Sequence, residues 1–337
     1  MSKSVLIATG GTGGHIFPAE ALAKELTEQG HKVLFAGGKL SENRFFSKKY
    51  PFDDVPVTPS LKNISTLFEG VKKSFRLIKQ FHPDVIVGFG SYYSLPLLIA
   101  AVLKRIPLVL YAADRNPGKV IKVFSPFAKA VGINFPDTAI KGEWVGMPLR
   151  FNPQYISKEE AYRYYQLDQN KPVCLVFGGS LGAQELNRFA FEALKELPFQ
   201  VIHFTGSAEE AGKYAVLYNK ANIKAIVKTF EARMEFAWII ADIALTRAGA
   251  VSCAEELAFK VPGLLVPYPQ AADDHQTANA EGLVKMGLCE LIQEKDLTVK
   301  DLKSILENLY KTRDERKKKA ASHTTPYTLK DLVIKSL

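Results

Sequence analysis

The strongest constraint on the fold is the alternation of short apolar runs with longer helical patterns along the whole chain. Ten short runs are rich in apolar residues, and they occupy residues 5–8, 32–36, 84–88, 108–111, 130–135, 172–177, 201–204, 225–229, 243–246 and 264–267. Strands that alternate with helices form βαβ units, in which neighbouring strands run parallel. The sequence therefore predicts an α/β protein with parallel sheets.

The ten predicted strands fall into two groups of five, with turn-forming residues between the groups. Proline and glycine interrupt the pattern at 146–148 and again at 151–153. A chain of 337 residues is also long enough for about two domains. We expect two Rossmann-like domains, residues 1–150 and 151–337, whose sheets face each other across a cleft. The C-terminal helix is free to return to the N-terminal domain.

Three predicted strands lead directly into glycine-rich turns. These are residues 9–18 (TGGTGGHIFP), residues 178–182 (GGSLG) and residues 88–92 (GFGSY). A helical pattern at residues 19–29 follows the first of them. Glycine lets another group approach the main chain closely, and a helix that starts after such a turn directs free N–H groups toward an anion. The first two turns predict one phosphate site in each half. The third is equally compatible with a simple βα corner.

The charge balance points to an anionic partner, since 44 Lys and Arg against 35 Asp and Glu give a formal net charge of +9. Two segments concentrate the positive charge. Residues 63–81, from Asn63 to Phe81, place apolar residues at helical spacing between lysines and arginines, which predicts a basic amphipathic helix. Such a helix packs on its own domain or binds a membrane surface. Residues 311–319 (KTRDERKKK) predict a solvated helix face.

Cysteine usage and apolar run length bear on the compartment. Cys174, Cys253 and Cys289 are odd in number and widely spaced, which indicates small buried residues in a reducing cytoplasm. The apolar run at the start of the chain is too short for a signal peptide. The longest such run, 95–103, is far shorter than the ~20 residues of a membrane span. We expect neither a secretion signal nor a spanning helix.

The details of the turns exclude several phosphate-binding chemistries. The first turn places Ile16 where a dinucleotide fold needs its third glycine, and residues 36–39 offer no carboxylate for a ribose. The sequence contains no P-loop motif, no D-x-D pair and no histidines at metal-ligand spacing. NAD, a P-loop nucleotide site and a bound metal are therefore not expected, and we expect no cofactor.

Two enzyme classes remain compatible with the three turns. Residues 178–182 match the G-x-S-x-G elbow of a serine hydrolase, with Ser180 as nucleophile and with Asp242 and His275 in the chain order of a triad. This hypothesis gives no role to the first turn or to the duplication. A transferase that holds a nucleotide-diphosphate sugar on main-chain N–H groups uses all three turns, at roughly 1.5–3 kcal/mol per charge-assisted contact.

Four blocks of the sequence resemble the MurG glycosyltransferase family. They are residues 9–21 (TGGTGGHIFPAEA), 177–187 (FGGSLGAQELN), 247–257 (RAGAVSCAEEL) and 266–280 (VPYPQAADDHQTANA), in the family's order. The resemblance implies the glycosyltransferase B (GT-B) fold. It also implies metal-independent, inverting transfer of N-acetylglucosamine from UDP-N-acetylglucosamine to an undecaprenyl-pyrophosphoryl-linked muramoyl-pentapeptide.

That reaction belongs to peptidoglycan synthesis, and the resemblance therefore implies a role in cell-wall biogenesis, cell shape and cell division. A lipid-linked acceptor stays in the bilayer, so we expect peripheral attachment at the cytoplasmic face of the cell membrane. Residues 63–81 would then bind anionic lipid. A nucleic-acid partner is not expected.

The resemblance also implies a donor site in the C-terminal half. Ser180 and its glycine turn would meet the donor diphosphate, and Ala250 would lie beside the nucleotide. Glu231, after Phe230, would lie near the uracil. Glu255 would accept both ribose hydroxyls, as a carboxylate can. Gln276 would recognise the sugar hydroxyls and discriminate between epimers.

In the N-terminal half the resemblance implies an acceptor site. Thr12, Gly13, Gly14 and His15 would face the acceptor, and Arg150 would lie near the donor phosphates. A hydroxyl that attacks an anomeric carbon must lose a proton, and imidazole titrates near neutral pH, so His15 is the predicted general base. The alternative is that His15 only hydrogen-bonds the tight turn.

Two motifs depart from the family pattern. Residues 111–114 (YAAD) stand where the family usually has His-Glu-Gln-Asn, and Met147 replaces the usual asparagine before Arg150. Asp114 can only accept hydrogen bonds when ionised, and it adds negative charge near diphosphates. Either Arg115 compensates for this charge, or the acceptor and donor contacts differ. The departures also leave open a UDP-sugar-binding protein without turnover.

Overall fold

The structure is a computed structural model that describes residues 2–58, 64–179, 183–323, 325 and 327–337. The chain divides into two compact units. The first comprises Met1–Arg150 together with Thr325–Leu337, and the second comprises Phe151–Thr324. Each unit has its own parallel sheet and its own buried core.

The first unit is built on a seven-stranded parallel sheet. Its strands are β1 (Ser4–Ala8), β2 (Lys32–Gly37), β3 (Phe52–Asp54), β4 (Val85–Gly88), β5 (Leu108–Ala112), β6 (Ala130–Ile133) and β7 (Glu143–Trp144). Their spatial order is β3-β2-β1-β4-β5-β6-β7. The order reverses between β1 and β4, and ligands of this fold class bind beyond the C-terminal ends of the strands at such a point.

The second unit repeats this topology in a six-stranded parallel sheet. Its strands are β8 (Val173–Phe177), β9 (Gln200–Phe204), β10 (Ala225–Lys228), β11 (Ile243–Thr246), β12 (Gly263–Leu265) and β13 (Glu290–Leu291). Their spatial order is β10-β9-β8-β11-β12-β13, so the reversal falls between β8 and β11.

Helices cover both faces of each sheet. Those in the described parts of the chain are α1 (Gly13–Glu28), α2 (Ile64–Phe81), α3 (Leu95–Leu103), α4 (Lys119–Phe124), α5 (Lys158–Tyr165), α6 (Gln184–Leu194), α7 (Ala208–Lys220), α8 (Met234–Ile240), α9 (Ala250–Phe259), α10 (His275–Lys285), α11 (Val299–Lys311), α12 (Arg313–Ala320) and α13 (Leu329–Lys335). The first unit contains α1–α4 and α13. Across the ranges that the structure describes, no helix has the length and apolar character needed to cross a bilayer.

Alternation along the strands assigns the helices of the first unit to the two faces of its sheet. Val5 and Ile7 lie in one buried cluster with residues of α1 and α13, whereas Leu6 and Ala8 lie in another with residues of α2, α3 and α4. Successive side chains of a strand point to opposite faces, and a parallel sheet covered on both faces needs apolar residues at every position.

The prediction of an α/β fold with parallel sheets is confirmed, and each of the ten predicted strands is present. Three strands were missed, namely β3, β7 and β13. Each has only two or three residues and lies at the edge of its sheet. Such short segments carry too few residues to show a strand pattern.

Two helix predictions need correction. The pattern placed the first helix at 19–29, but α1 begins at Gly13 and contains Pro18; glycine and proline disguise a helix start because both disfavour helices. The run at 311–319 is divided, because α11 ends at Lys311 and α12 begins at Arg313. The predicted start of the amphipathic helix at Asn63 lies outside the described residues, and α2 is observed from Ile64.

Candidate active site

The first glycine turn lies at the C-terminal end of β1 and packs against the turn after β4. Gly10 and Gly11 have φ angles of 155° and 87°. A Cβ atom at Gly10 would lie 2.6 Å from Tyr93 Cβ, and one at Gly11 would lie 3.1 Å from Ser91 Oγ. These two glycines are therefore required by the packing of one turn on the other.

The N-terminus of α1 follows this turn and is open. Thr12 occupies the N-cap position but makes no capping hydrogen bond with its side chain, and the first turn of the helix carries no acidic residue. A Cβ atom at Gly14 would meet only Thr12 Oγ1, at 3.6 Å. A helix N-terminus without a side-chain cap has N–H groups and a partial positive charge available for an anion.

His15 is held between the two turns of the first unit. Its imidazole Nδ1 lies 3.4 Å from Thr12 Oγ1, and its carbonyl oxygen accepts a hydrogen bond of 3.1 Å from Thr9 Oγ1. A Cβ atom at Gly90 would lie 3.7 Å from His15 Cδ2. The structure thus brings together Thr12, Gly14 and His15 at the start of α1.

Arg150, the last residue before the chain enters the second unit, lies near the same helix. Its guanidinium carbon is 4.1 Å from the centre of the Phe17 ring, which is a cation–π contact. Phe17 is also the side chain that a Cβ atom at Gly13 would meet, at 2.8 Å. Arg150 is therefore anchored beside the first turn of α1.

In the second unit, the corresponding turn follows β8. Gly179 has a φ angle of 85°, and a Cβ atom there would meet nothing within 4 Å. Ser180 lies outside the described residues. A second open site follows β11, where Gly249 is the N-cap of α9 and Ala250 is its first residue. This helix also has no side-chain cap and no acidic residue in its first turn, so it too can bind an anion.

Glu255 lies further along α9 and is buried. Its Oε2 accepts a hydrogen bond of 2.9 Å from the indole Nε1 of Trp238, which is fully buried in α8. An ionised carboxylate can accept about four hydrogen bonds, and the bond from Trp238 orients Glu255.

Glu231 is also buried, and its carboxylate accepts several internal hydrogen bonds. The donors are Tyr164 Oη at 3.3 Å, Tyr165 Oη at 3.2 Å, Lys228 Nζ at 2.7 Å and the main-chain N–H of Arg233 at 2.9 Å. Burial opposes ionisation, but the bonds from Lys228 and from the main chain outweigh it and lower the pKa of Glu231. The side chain therefore stabilises its own loop, in which the neighbouring Phe230 is exposed.

Gln276 lies at the start of α10, where its Oε1 accepts a hydrogen bond of 2.9 Å from the main-chain N–H of Tyr268. The two residues that lead into the helix, Asp273 and Asp274, both have positive φ angles, 52° and 50°. Aspartate tolerates this left-handed region, and such conformations cluster at functional sites. Gln276 is thereby tied to the loop that follows β12.

The sequence analysis did not identify two residues that connect the turns of the second unit. Arg247 is buried, donates from Nη1 to the carbonyl oxygens of Val266 at 3.2 Å and Pro267 at 3.1 Å, and pairs with Glu294. Asn279 Nδ2 donates to the carbonyl oxygen of Ala248 at 3.2 Å. Both belong to the sequence blocks that resemble the MurG family, at 247–257 and 266–280. Their burial depends on the tertiary structure, which the sequence pattern does not show.

The hydrolase hypothesis is wrong because Asp242 lies at the N-terminal ends of the strands, whereas the glycine turn lies at their C-terminal ends. Asp242 precedes β11, and its Oδ2 accepts a hydrogen bond of 2.9 Å from the N–H of Val173, the first residue of β8. The turn at Gly178 follows the last residue of the same strand. A strand of five residues separates its two ends by about 17 Å, which a triad cannot bridge.

Arg115 was one candidate to compensate the negative charge of Asp114. It forms a bidentate ion pair with Asp137, with Nε–Oδ1 and Nη2–Oδ2 distances of 2.8 Å and 2.7 Å. Two parallel charge-assisted hydrogen bonds make this pair strong. The pair with Asp137 fixes the position of the Arg115 guanidinium.

Comparison with known proteins identifies the class. Residues 5–133 match the glycosyltransferase family 28 N-terminal domain, and residues 173–333 match the glycosyltransferase family 28 C-terminal domain. Two Rossmann-like units, each with an open helix N-terminus after a glycine-containing turn, together with these matches define a GT-B glycosyltransferase of family 28.

Individual relatives specify the family further. A UDP-N-acetylglucosamine–N-acetylmuramyl-(pentapeptide) pyrophosphoryl-undecaprenol N-acetylglucosamine transferase of Protochlamydia amoebophila is 44% identical, with 90% of this chain and 87% of the relative covered. A protein of the same description from Caldanaerobacter subterraneus is 34% identical, with 90% of each covered. The crystal structure of Acinetobacter baumannii MurG superposes with a TM-score of 0.82 at 30% identity over 99% of both chains. The chain belongs to the MurG family.

Proposed function

We propose that the protein transfers N-acetylglucosamine from UDP-N-acetylglucosamine to an undecaprenyl-pyrophosphoryl-linked muramoyl-pentapeptide, as the names of its relatives describe. The observation that carries the proposal is the pair of uncapped helix N-termini, α1 in the first unit and α9 in the second. Donor and acceptor each carry a pyrophosphate, and each helix N-terminus suits one anionic group. The reaction belongs to peptidoglycan synthesis.

The second unit, together with Arg150, is assigned the donor. The start of α9 at Ala250 and the turn with Ser180 would hold the diphosphate, and each charge-assisted contact contributes roughly 1.5–3 kcal/mol. Glu255, oriented by Trp238, would accept the ribose hydroxyls. Gln276 would contact the sugar.

The loop at Glu231 would face the uracil with its main chain, because the carboxylate itself is occupied by internal donors. Phe230 is exposed in this loop and offers an apolar surface for the base. The internal hydrogen bonds would give the loop a fixed shape before the donor arrives, which lowers the entropic cost of binding.

The first unit is assigned the acceptor and the general base. The acceptor hydroxyl attacks the anomeric carbon from the face opposite UDP, and its proton passes to His15. The bond from the anomeric carbon to the diphosphate oxygen breaks, and the electron pair leaves with UDP, so the configuration inverts. Thr12, 3.4 Å from the imidazole, would orient the ring. The N-terminus of α1, with Gly13 and Gly14, would hold the acceptor pyrophosphate.

The test of this function measures UDP release from a panel of UDP-sugars, with and without a lipid-linked muramoyl-pentapeptide. We expect release only with UDP-N-acetylglucosamine and acceptor together. His15→Ala should lower kcat by about 10²–10⁴ while UDP affinity stays within about twofold, because a general base acts on the transition state. UDP-sugar binding without release under every condition would instead indicate a binding protein without turnover.

We further propose that the protein works at the cytoplasmic face of the cell membrane, through one helical surface of the first unit. Helices α2, α3 and α4 pack on the same face of the sheet. Exposed large apolar side chains on this layer are Ile64, Phe68, Leu103, Val123 and Phe127, each at least 61% exposed. Basic residues lie on the same layer, and Arg76, Lys79 and Lys104 line an open cavity of about 490 Å³ beside α2. Exposed apolar residues with adjacent cations bind anionic lipid surfaces.

Vesicle sedimentation tests this surface. Binding to vesicles with anionic lipid should fall several-fold between 0.1 M and 1 M salt, since the Debye length shrinks from about 10 Å to about 3 Å. Phe68→Ser should weaken binding, whereas Val216→Ser, at another exposed apolar site, on α7 of the second unit, should not. Equal binding of both variants and the unmodified protein would contradict the assignment of this surface.

A further inference from the structure

We infer that Tyr111 is a positioning residue for sugar transfer: it holds residues 146–150, here called the connector, and thereby fixes Arg150. The inference rests on the proposed function, which places Arg150 near the donor phosphates. It concerns residues that depart from the family pattern, since Tyr111 and Met147 stand where histidine and asparagine are usual.

The two departing residues contact each other. The Tyr111 hydroxyl donates a hydrogen bond of 2.9 Å to the carbonyl oxygen of Gly146 and lies 3.3 Å from Met147 Sδ. Tyr111 is almost fully buried at the end of β5, and its ring packs against Phe89, with ring centres 5.5 Å apart. The two motifs that depart from the family pattern are therefore in direct contact through Tyr111 and Met147.

The hydroxyl of Tyr111 is a permanent donor to the connector. Burial raises its pKa far above the ordinary value, and the nearby Asp114 carboxylate raises it further. The group consequently stays protonated at every working pH. A buried hydroxyl needs a partner, and loss of the bond leaves the Gly146 carbonyl without this donor.

The connector is pinned at both ends within the first unit. Tyr111 binds it at Gly146 and Met147, and Phe17 of α1 lies 4.1 Å from the guanidinium carbon of Arg150. Gly146 has a φ angle of 66°, and a Cβ atom there would lie 3.0 Å from Thr325 Cγ2. Thr325 begins the segment that returns to the first unit, so the two chain connections leave this unit side by side.

The first experiment compares Tyr111→Phe with a matched control. Tyr111→Phe removes one oxygen and keeps the ring. We expect a rise of about fivefold in KM for UDP-N-acetylglucosamine, the factor that corresponds to one neutral hydrogen bond, with kcat within about twofold. The control Tyr218→Phe removes an equally buried hydroxyl, 3.2 Å from His203 Nδ1 in the second unit. It should lower the unfolding temperature similarly and leave KM unchanged.

The second experiment asks whether Tyr111 acts through Arg150. Arg150→Ala should raise KM by itself, and adding Tyr111→Phe to it should raise KM no further. An unchanged KM in Tyr111→Phe alone, an equal rise in Tyr218→Phe, or an undiminished effect of Tyr111→Phe in the Arg150→Ala background would each overturn the inference. If the unmodified protein transfers no sugar, the proposed function fails, and calorimetry of UDP binding to the same four variants still tests the role of Tyr111.

Discussion

Glu256 should make the second unit less stable as the pH rises. It lies on α9 directly after Glu255, it is fully buried, and neither carboxyl oxygen has a hydrogen-bond partner among the described residues. Its Oε1 lies in the space that a side chain at position 263 would fill, 1.8 Å from where a Cβ atom of Gly263 would be. Burial raises the pKa of Glu256 to about 8, and the neighbouring Cys289 and Thr246 offset only part of this rise.

The direction and size of the effect follow from proton linkage. The carboxyl has a pKa of 4.5 when exposed and about 8 when folded, so between these values the folded state holds a proton that the unfolded state has lost. Stability from this group is fully present below pH 4.5 and is lost as the pH rises through 8. At roughly 1.4 kcal/mol per pH unit, the loss approaches 5 kcal/mol. Domains are stable by only about 5–15 kcal/mol.

The assay uses the two tryptophans of the chain, Trp144 in the first unit and Trp238 in the second. In a Trp144→Phe background, Trp238 fluorescence follows urea unfolding of the second unit alone. Between pH 5 and pH 9, the free energy of unfolding should fall about 4 kcal/mol further in the background protein than with Glu256→Gln added, since glutamine does not titrate. Glu209→Gln, an exposed site on α7, is the control. Parallel curves for the background protein and Glu256→Gln would refute the reasoning.

Other substitutions test the remaining contacts. Trp238→Phe removes the indole donor to Glu255 and should weaken UDP binding about fivefold, the equivalent of roughly 1 kcal/mol; unchanged affinity in calorimetry would contradict the orienting role. The double substitution Tyr111→His with Met147→Asn, which introduces the family's usual pair, should give a higher kcat/KM than either single substitution. If the fold-loss of kcat/KM in the double variant equals the product of the two single fold-losses, the sites are independent. Glu231→Gln removes the charge that pairs with Lys228 and should lower the urea midpoint by the equivalent of about 1 kcal/mol, since that lysine is partly solvated; an unchanged midpoint would contradict it.

The sequence predicted those parts of the fold that depend on local pattern. The buried strand β8 is apolar at every position, and β1 is apolar at every position after Ser4, which is visible without a structure. The edge strands β3 and β7 depend on pairing with a neighbour, and no pattern of two or three residues shows it. Chain order also favoured Asp242 for a triad, whereas only the strand direction reveals that it lies at the opposite edge of the sheet.

The sequence predicted which residue types form the candidate site, but it did not predict their contacts. The glycine turns and the residues that follow them were visible as motifs, but their partners are distant in sequence. Tyr111 and Gly146 are 35 positions apart, and the sequence showed their neighbourhood only as two unrelated departures. Glu231 was expected near the uracil because of its position, and its internal hydrogen bonds depend on Tyr164 and Lys228, which no motif connects to it.

The discontinuous first unit has a consequence for synthesis on the ribosome. Leu329, Leu332 and Val333 of α13 are buried in the same apolar cluster as Val5 and Ile7 of the first strand. The amino-terminal half therefore emerges first but lacks part of the cover of one apolar face until α13 has been synthesised. The second unit is continuous in sequence and can close earlier, so the half made first is the last to finish. A nascent chain stopped before α13 should attract chaperones at that uncovered face.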